Sequence, residues 1–181
     1  MNETPAEIDA LQALLDRSAE GSGEHLRGII GPKRRLTAAQ LITELVGMKV
    51  LVVATTTATG EPRTSCVDGH FWHGRWIFTT SGSAYKSVHL TARPAISATY
   101  VDGERVAVFV HGTAERVEPD APDFAGMDRH LAAHYGGSPT EWGPDIAFFR
   151  IDPGYLIGYA MDAESFPALS GEVRGDGGDV S

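Results

Sequence analysis

The chain has 181 residues, of which 42% are hydrophobic and 22% charged, and its formal net charge is −9. These values are typical of one soluble globular domain, and the negative charge argues against nucleic acid or an anionic membrane as a partner, because both need a basic surface. Cys66 is the one cysteine and no apolar run approaches the ~20 residues of a membrane span, so we expect a cytoplasmic protein without a disulfide or a cysteine zinc site.

Residues 1–47 are predicted to form an N-terminal helical segment. The sequence Thr4-Pro5-Ala6-Glu7 is a capping box with proline at the first helical position, and it predicts a helix over residues 4–19. A second capping box begins at Thr37, and Gly47 is a natural end for the helix that follows it. Two helices are therefore expected before the first strand.

Residues 48–162 show the alternating pattern of strands, and the predicted strands are 49–57, 63–71, 75–80, 95–101, 106–117, 146–151 and 155–160. The turns His73-Gly74 and Asp102-Gly103 favour antiparallel hairpins. Helices are expected near 84–91 and 119–135. The pattern predicts a mainly β protein, a barrel of six or seven antiparallel strands with N-terminal and inserted helices, because a doubly wound sheet needs a helix between most strands.

Residues 163–181 are rich in glycine and acidic residues. A segment of this composition buries too little apolar surface to fold, so we expect a disordered tail that the protein can lose without losing stability.

The sequence lacks the motifs of nucleophilic and nucleotide-dependent catalysis. It contains no G-x-S-x-G elbow, no Walker loop and no G-x-G-x-x-G fingerprint. Cys66 lies in the middle of a predicted strand and is interpreted as a small strand residue. No catalytic residue is assigned.

Two histidine pairs have spacings that occur in metal sites. His130 and His134 share one face of a predicted helix, whereas His70 and His73 lie on a strand and its turn. A zinc site needs a third ligand, which the sequence does not identify, so we interpret the helix pair as a polar surface and predict no metal.

The stretch IFTTSGSAYKSVHL, residues 77–90, passes from a strand through Ser81-Gly82 into a helix that carries Lys86 in its first turn. One interpretation is a plain turn. The other is an anion pocket, because a helix N-terminus offers free N–H groups and hydroxyls and an ammonium would complete a phosphate site. The spacing alone leaves both open.

The order of several short motifs resembles a known family. A strand reading VLVVATT is followed by a Gly-x-Pro turn, a second strand, a strand that ends in F-x-T, a helix with a lysine, L-x-x-x-P and a strand reading V-x-G-x-A-E. This order is similar to the FMN-binding split barrel of the pyridoxamine 5′-phosphate oxidase-like superfamily, which also contains deazaflavin (F420) enzymes and haem binders. The resemblance covers residues 48–159.

The resemblance implies an antiparallel Greek-key split barrel that forms a homodimer, with FMN in grooves between the subunits and a small-molecule substrate. Members of the family hold the flavin phosphate with residues that match Thr79, Thr80 and Lys86 of this chain. The strand after Gly-x-Pro would lie along the flavin, and its residues are Ser65, Cys66, Val67, Asp68 and His70. Oxidases of the family carry basic residues at the positions of Ser65 and His70, and a Ser-Arg pair where this chain has Ala84-Tyr85. Several cationic contacts to the flavin are therefore missing here. Arg63 is the candidate to compensate for them, because it lies two residues from Ser65 on the same strand face.

The function implied is a flavin-dependent oxidoreductase that moves hydride or electrons between a reduced nicotinamide or deazaflavin and a small acceptor. A pyridoxal phosphate-forming oxidase is not expected, because the C-terminal region lacks the Arg-x-His of those enzymes. The alternatives are an F420-dependent reductase of the same fold and a non-catalytic flavin- or haem-binding protein. For haem, the candidate axial ligands are His70, His89 and His111.

Overall fold

The computed structural model describes residues 2–168. Its helices are α1 (Pro5–Glu20), α2 (Glu24–Ile29), α3 (Ala38–Glu44), α4 (Tyr85–Ala92) and α5 (Phe124–Tyr135), with short 3-10 helices at Pro32–Arg34, Pro139–Trp142 and Ala163–Ser165. Its strands are β1 (Met48–Thr56), β2 (Pro62–Trp72), β3 (Arg75–Ser81), β4 (Ala95–Asp102), β5 (Val106–Val117) and β6 (Ile146–Ala160).

The six strands of the described region close into an antiparallel barrel in the order β1-β2-β3-β6-β5-β4, with β4 returning to β1. The predicted mainly β barrel is confirmed, with six strands rather than seven. The hairpin between β2 and β3 turns at His73 and Gly74, whose φ angles of 50° and 73° are those of a tight two-residue turn.

The predicted final pair of strands is wrong, because β6 is continuous through Pro153 and Gly154. The pairing register of β6 with β5 shifts between His111 and Gly112, so one extra residue of β6 is accommodated as a bulge. Gly112 permits the close approach, since a Cβ there would lie 2.1 Å from the carbonyl oxygen of Asp152. The bulge lets the strand pass a proline that donates no ladder hydrogen bond.

The N-terminal helices pack on the barrel beside β6. Both predicted capping boxes form, at Thr4 with Glu7 and at Thr37 with Gln40. Ser18 of α1 accepts a hydrogen bond from the backbone N–H of Leu156 at 3.0 Å, which ties the helix to β6. Helix α2 buries none of its residues, so no apolar stripe in the sequence indicates it.

Helix α5 begins at Phe124, later than the predicted residue 119. The preceding residues form successive turns, in which the N–H of Ala121 bonds to Glu118 and that of Phe124 bonds to Ala121. In the longer helix Pro122 would be the fourth residue, whose N–H would have to make the first intrahelical hydrogen bond to the carbonyl of Glu118, and proline has no N–H to donate. The buried side of α5 presents Met127 and Leu131 to Ile77 and Phe148 on the outside of the barrel.

The first residues after the barrel are packed: Ala163 and Phe166 are buried, and the Gln40 side chain donates to both of their carbonyl oxygens. The rest of the predicted tail, residues 169–181, lies outside the described residues. No helix among residues 2–168 is long and apolar enough to cross a membrane.

Candidate functional site

A groove of about 650 Å³ opens between the N-terminal part of α4 and the ends of β1 and β2. Its lining residues are Thr55, Thr57, Arg63, Thr64, Ser65, Ala84, Tyr85, Lys86 and His89. The volume falls in the usual range of small-molecule sites, about 300–1,000 Å³. The groove carries two permanent cations and, among these lining residues, no carboxylate.

Strand alternation sends the predicted site residues of β2 to two different sides of the sheet. Arg63 and Ser65 line the groove, and Val67, on the same face, is buried in the barrel core. Cys66 lies on the opposite face and is exposed. His70 also lies on that opposite face, where it is 1% exposed. The structure therefore brings only part of the predicted set to the groove.

The two threonines of β3 separate in the same way. Thr80 follows Phe78 on the core side, and its hydroxyl lies 3.3 Å from the Lys86 ammonium, which donates to it. Thr79 pairs with Phe148 and points to the side that α5 covers. Thr80 and Lys86 thus form a contact at the groove, and Thr79 does not join it.

Arg63 reaches the groove from an exposed position. Its guanidinium donates to Glu61 at 2.8 Å, and both side chains are more than half exposed. An exposed ion pair of this kind is weak, about 0–1 kcal/mol. The Glu61 contact therefore leaves Arg63 able to turn toward a ligand anion.

The turn between β3 and α4 already holds an anion of its own chain. The side-chain carboxylate of Asp145 accepts hydrogen bonds from the Ser81 hydroxyl and the Ser83 N–H, both at 2.9 Å. The backbone carbonyl oxygen of Asp145 accepts a further hydrogen bond from the Gly82 N–H at 2.7 Å. These hydrogen bonds, that of Ser81 first, lower the pKa of the Asp145 carboxyl. The turn residues between Thr80 and α4 are therefore occupied by Asp145, whereas the predicted phosphate donors Thr80, Lys86 and the first N–H groups of α4 are not bonded to it.

The first turn of α4 remains free to bind. The helix has Ala84 at its N-cap and no side-chain cap. Within the described chain, the backbone N–H groups of Tyr85 and Lys86, two residues that line the groove, have no hydrogen-bond acceptor. Because the Lys86 side chain shares this end of the groove, the arrangement suits an anionic group.

The opposite face of β2 carries a polar cluster under α5, in which His70 is buried and Asp68 and His134 are exposed. The His70 ring packs edge-on against His130 and His134, with centroids 5.3 and 4.9 Å away. Its Nε2 lies 3.2 Å from the Tyr135 hydroxyl, which donates to Asp68 at 3.4 Å. The predicted polar helix surface is therefore partly a buried contact.

Burial sets the protonation of this cluster. Desolvation, with repulsion from His130 and His134, lowers the pKa of His70 to about 4. Desolvation and the nearby Asp68 carboxylate raise the pKa of Tyr135 to about 12. Among residues 2–168, no group of three or more histidine, cysteine or acidic side chains is arranged to hold a metal ion.

The site residues predicted from the sequence leave out Asp145, which closes the turn, and six of the groove residues: Thr55, Thr57, Thr64, Ala84, Tyr85 and His89. Thr55 lies at the end of β1, and its hydroxyl is 2.9 Å from Nδ1 of His89, which fixes that ring. Tyr85 is 85% exposed and lines the groove. Thr57 and Asp145 carry no local sequence signal, because each reaches its place through strand pairing and a distant loop. The sequence indicates His89 only as a candidate haem ligand.

Comparison with known proteins identifies the family. The family model described as pyridoxamine 5′-phosphate oxidase matches residues 39–158, about two thirds of the chain. No curated protein sequence matches the chain.

Solved structures with the same fold differ in what their names say they bind. A FAD-binding protein from Mesorhizobium loti has a TM-score of 0.55 at 19% identity, covering 70% of this chain and 94% of its own. The haem storage protein HutZ from Vibrio cholerae has a TM-score of 0.55 at 20% identity, covering 66% of this chain and 90% of its own. An F420 reductase has a TM-score of 0.50 at 23% identity, covering 63% of this chain and 93% of its own. These likenesses show a shared fold, and together with the family match they place the chain in the pyridoxamine 5′-phosphate oxidase family.

Proposed function

We propose that the protein is a flavin-dependent oxidoreductase that binds FMN in the groove beside α4. It transfers hydride or electrons between a reduced nicotinamide or deazaflavin and a small acceptor. The observation that carries the proposal is the set of cations and free donors that line the groove: the Lys86 ammonium, the Arg63 guanidinium and the first N–H groups of α4.

The residues present fit a phosphorylated flavin. A flavin needs a slot, an anchor for its phosphate and hydrogen-bond partners for its polar ring edge. The cations of the groove supply the anchor, and Ser65 and Thr64 supply hydroxyl groups along it. Tyr85 adds a large exposed aromatic surface at the same site.

The chain's own residues would bind and orient rather than react. A bound flavin supplies the electron chemistry itself, which agrees with the lack of a recognisable nucleophile motif. Lys86 would neutralise the phosphate while Thr80 holds the ammonium in place at 3.3 Å. His89, fixed by Thr55, keeps one ring nitrogen free to contact the ligand.

We infer further that two copies associate through the outer face of β1, β4 and β5. The barrel of the described region is closed, so no free sheet edge is available for this association. The reason is that Val50, Val101 and Phe109 are 55%, 54% and 38% exposed on the outer face of these neighbouring strands. Contiguous apolar surface of this kind is typical of a protein interface.

The association is tested by the mass in solution. Light scattering at micromolar concentration is expected to give about twice 19.3 kDa. Val50→Glu, which places a charge on the apolar face, is expected to shift the mass toward the monomer. A monomeric wild-type protein would exclude a site shared between subunits.

Reconstitution tests the cofactor. Protein freed of ligand is titrated with FMN, riboflavin, F420 and haemin, and absorption spectra are recorded for the isolated protein and for each mixture. A flavin band pair in the near-UV and blue, with saturable FMN binding, is the expected result. Failure of FMN to bind would overturn the proposal.

The second candidate is an F420-dependent reductase, favoured by the likeness to the F420 reductase and by the same cations of the groove. F420 gives a single absorption band between the two flavin bands, so the spectra separate the candidates. Haem binding would give a Soret band. Among the candidate axial ligands only His89 lines the groove, since His70 is buried and His111 Nδ1 lies 2.8 Å from Ser97 on another strand pair.

A further inference from the structure

The turn that joins β3 to α4 contains two sets of anion-binding donors, and only one set is free. The Ser81 hydroxyl and the Gly82 and Ser83 N–H groups bond to Asp145, whereas the first N–H groups of α4 have no acceptor in the part of the chain that the structure describes. A ligand phosphate at Lys86 would therefore meet a carboxylate where it would otherwise find further donors.

The contact between Asp145 and the turn is closely fitted. A Cβ on Gly82 would lie 2.4 Å from Oδ1 of Asp145, so the absence of a side chain at Gly82 is what makes room for the carboxylate. The hydrogen bonds of Ser81 and Ser83 lower the pKa of Asp145, so the group is ionised at neutral pH. A fixed negative charge thus lies beside the start of α4.

The position of this charge relative to Lys86 follows from the start of α4. The Ser83 N–H, which donates to the Asp145 carboxylate, belongs to the residue directly before Ala84, the N-cap of α4, and Lys86 lies in the first turn of that helix. The two opposite charges therefore lie at the same end of α4. The Lys86 ammonium attracts a phosphate dianion and the Asp145 carboxylate repels it, while a neutral ligand tail is affected by neither.

We propose that Asp145 is a specificity-determining residue that reduces the preference of the groove for a phosphorylated flavin over riboflavin. The inference rests on the proposed flavin function and deepens it by assigning the balance between the two ligands to one carboxylate. The relative affinity for FMN and riboflavin is then determined by the opposite charges of Lys86 and Asp145. Removal of the Asp145 charge leaves a phosphate site without a repelling carboxylate.

The test compares FMN and riboflavin affinities in wild type, Asp145→Asn and Asp145→Glu. Asparagine keeps an oxygen acceptor for the Ser83 N–H but removes the charge, and glutamate keeps the charge. For unit charges several ångströms apart near a surface, loss of the repulsion is expected to tighten FMN binding about three- to tenfold. Riboflavin binding is expected to stay unchanged, and Asp145→Glu to keep the wild-type ratio. Asp9→Asn, an exposed carboxylate on α1, is the control for a change in net charge.

The ratio of the two affinities is measured on each variant, so a general loss of stability does not imitate the effect. An unchanged ratio in Asp145→Asn would overturn the inference and leave the flavin function standing. A change of the same size in the affinity ratio of Asp9→Asn would also overturn the inference, because it would show an effect of net charge alone. Wild-type protein that binds neither ligand would overturn the proposed function and the inference together.

Discussion

The two faces of strand β2 carry two polar regions with opposite character. On one face, Arg63 and Ser65 open onto the groove beside α4. On the other, His70 is covered by α5 and is 1% exposed, and Asp68 lies at the exposed edge of the same cluster. Neighbouring residues of a single strand therefore serve an open region and a partly buried one.

The difference lies in how many polar groups are satisfied within the chain. Under α5, the His70, Tyr135 and Asp68 side chains bond or pack to one another, which is what a buried polar group requires. At the groove, the first N–H groups of α4 lack acceptors among the described residues, and Lys86 has only the 3.3 Å contact with Thr80. A polar cluster whose members bond to one another stabilises the fold, whereas unused donors at an open groove are available to a ligand.

The largest expected effect is a loss of stability caused by a substitution in α5, the helix that covers His70. Leu131 of α5 is 1% exposed, and Leu131→Ala is expected to lower the free energy of unfolding by about 2–5 kcal/mol through lost burial and a cavity. Tyr85→Ala, at an 85% exposed position of the groove, is expected to change it by less than about 0.5 kcal/mol. Urea unfolding of both variants checks the contrast, and equal losses would contradict it.

The second effect is a dependence of stability on pH that originates at His70. Its folded pKa of about 4 lies below the ordinary value of 6.5, so between these values the unfolded chain binds the proton more readily. The stability present above pH 6.5 is therefore lost as the pH falls toward 4, by about 3 kcal/mol for this group. Unfolding curves of wild type and His70→Asn across this range should differ in slope, the variant being flatter. His25→Gln, an exposed histidine of α2, should retain the wild-type slope.

The third effect concerns the open region. Lys86→Ala is expected to weaken FMN binding about ten- to a hundredfold, because a hydrogen bond to a charged group contributes about 1.5–3 kcal/mol. Riboflavin, which lacks the phosphate, should lose much less. Lys33→Ala, on a 3-10 helix away from the groove, is the matched control. Equal losses for both ligands, or no loss, would show that Lys86 is only a surface charge.

The smallest effect sharpens the comparison inside α4. Ser87 is fully buried, yet its hydroxyl has no partner in the described chain. Ser87→Ala is expected to raise the free energy of unfolding by about 0.5–1 kcal/mol, through removal of an unsatisfied hydroxyl and better helix propensity. Ser18→Ala is the counterpart, since Ser18 bonds to Leu14 at 2.8 Å and to Leu156, and it should be destabilising. If chemical denaturation showed a lower free energy of unfolding for both variants, the expected difference between the two serines would be contradicted.

The sequence predicts what depends on local pattern. Alternation and turn residues predict the strands, and Val106–Val117 agrees with the prediction at both ends. The continuous β6 is not predicted, because the bulge that carries it past Pro153 depends on Gly112 of another strand.

Neither polar region is fully predictable from local sequence. Lys86 and Arg63 belong to segments with a recognisable order, so their meeting at one groove follows from the family resemblance. The occupation of the turn by Asp145 does not, since the two segments are joined only through the tertiary fold. The same holds for His70 and His134, which belong to a strand and a helix far apart in the chain.

The strand order also determines when the chain can fold. β6 pairs with both β3 and β5, so it is the strand that closes the barrel, yet it is the last of the six in the sequence. During synthesis, β3 and β5 keep unpaired edges until residues 146–160 have left the ribosome, and such edges favour association with other chains. The pairings of β6 with β3 span long stretches of sequence, which is typical of slow folding. A nascent chain that ends before β6 is therefore expected to depend on chaperones, and closure is expected to be a late and cooperative event.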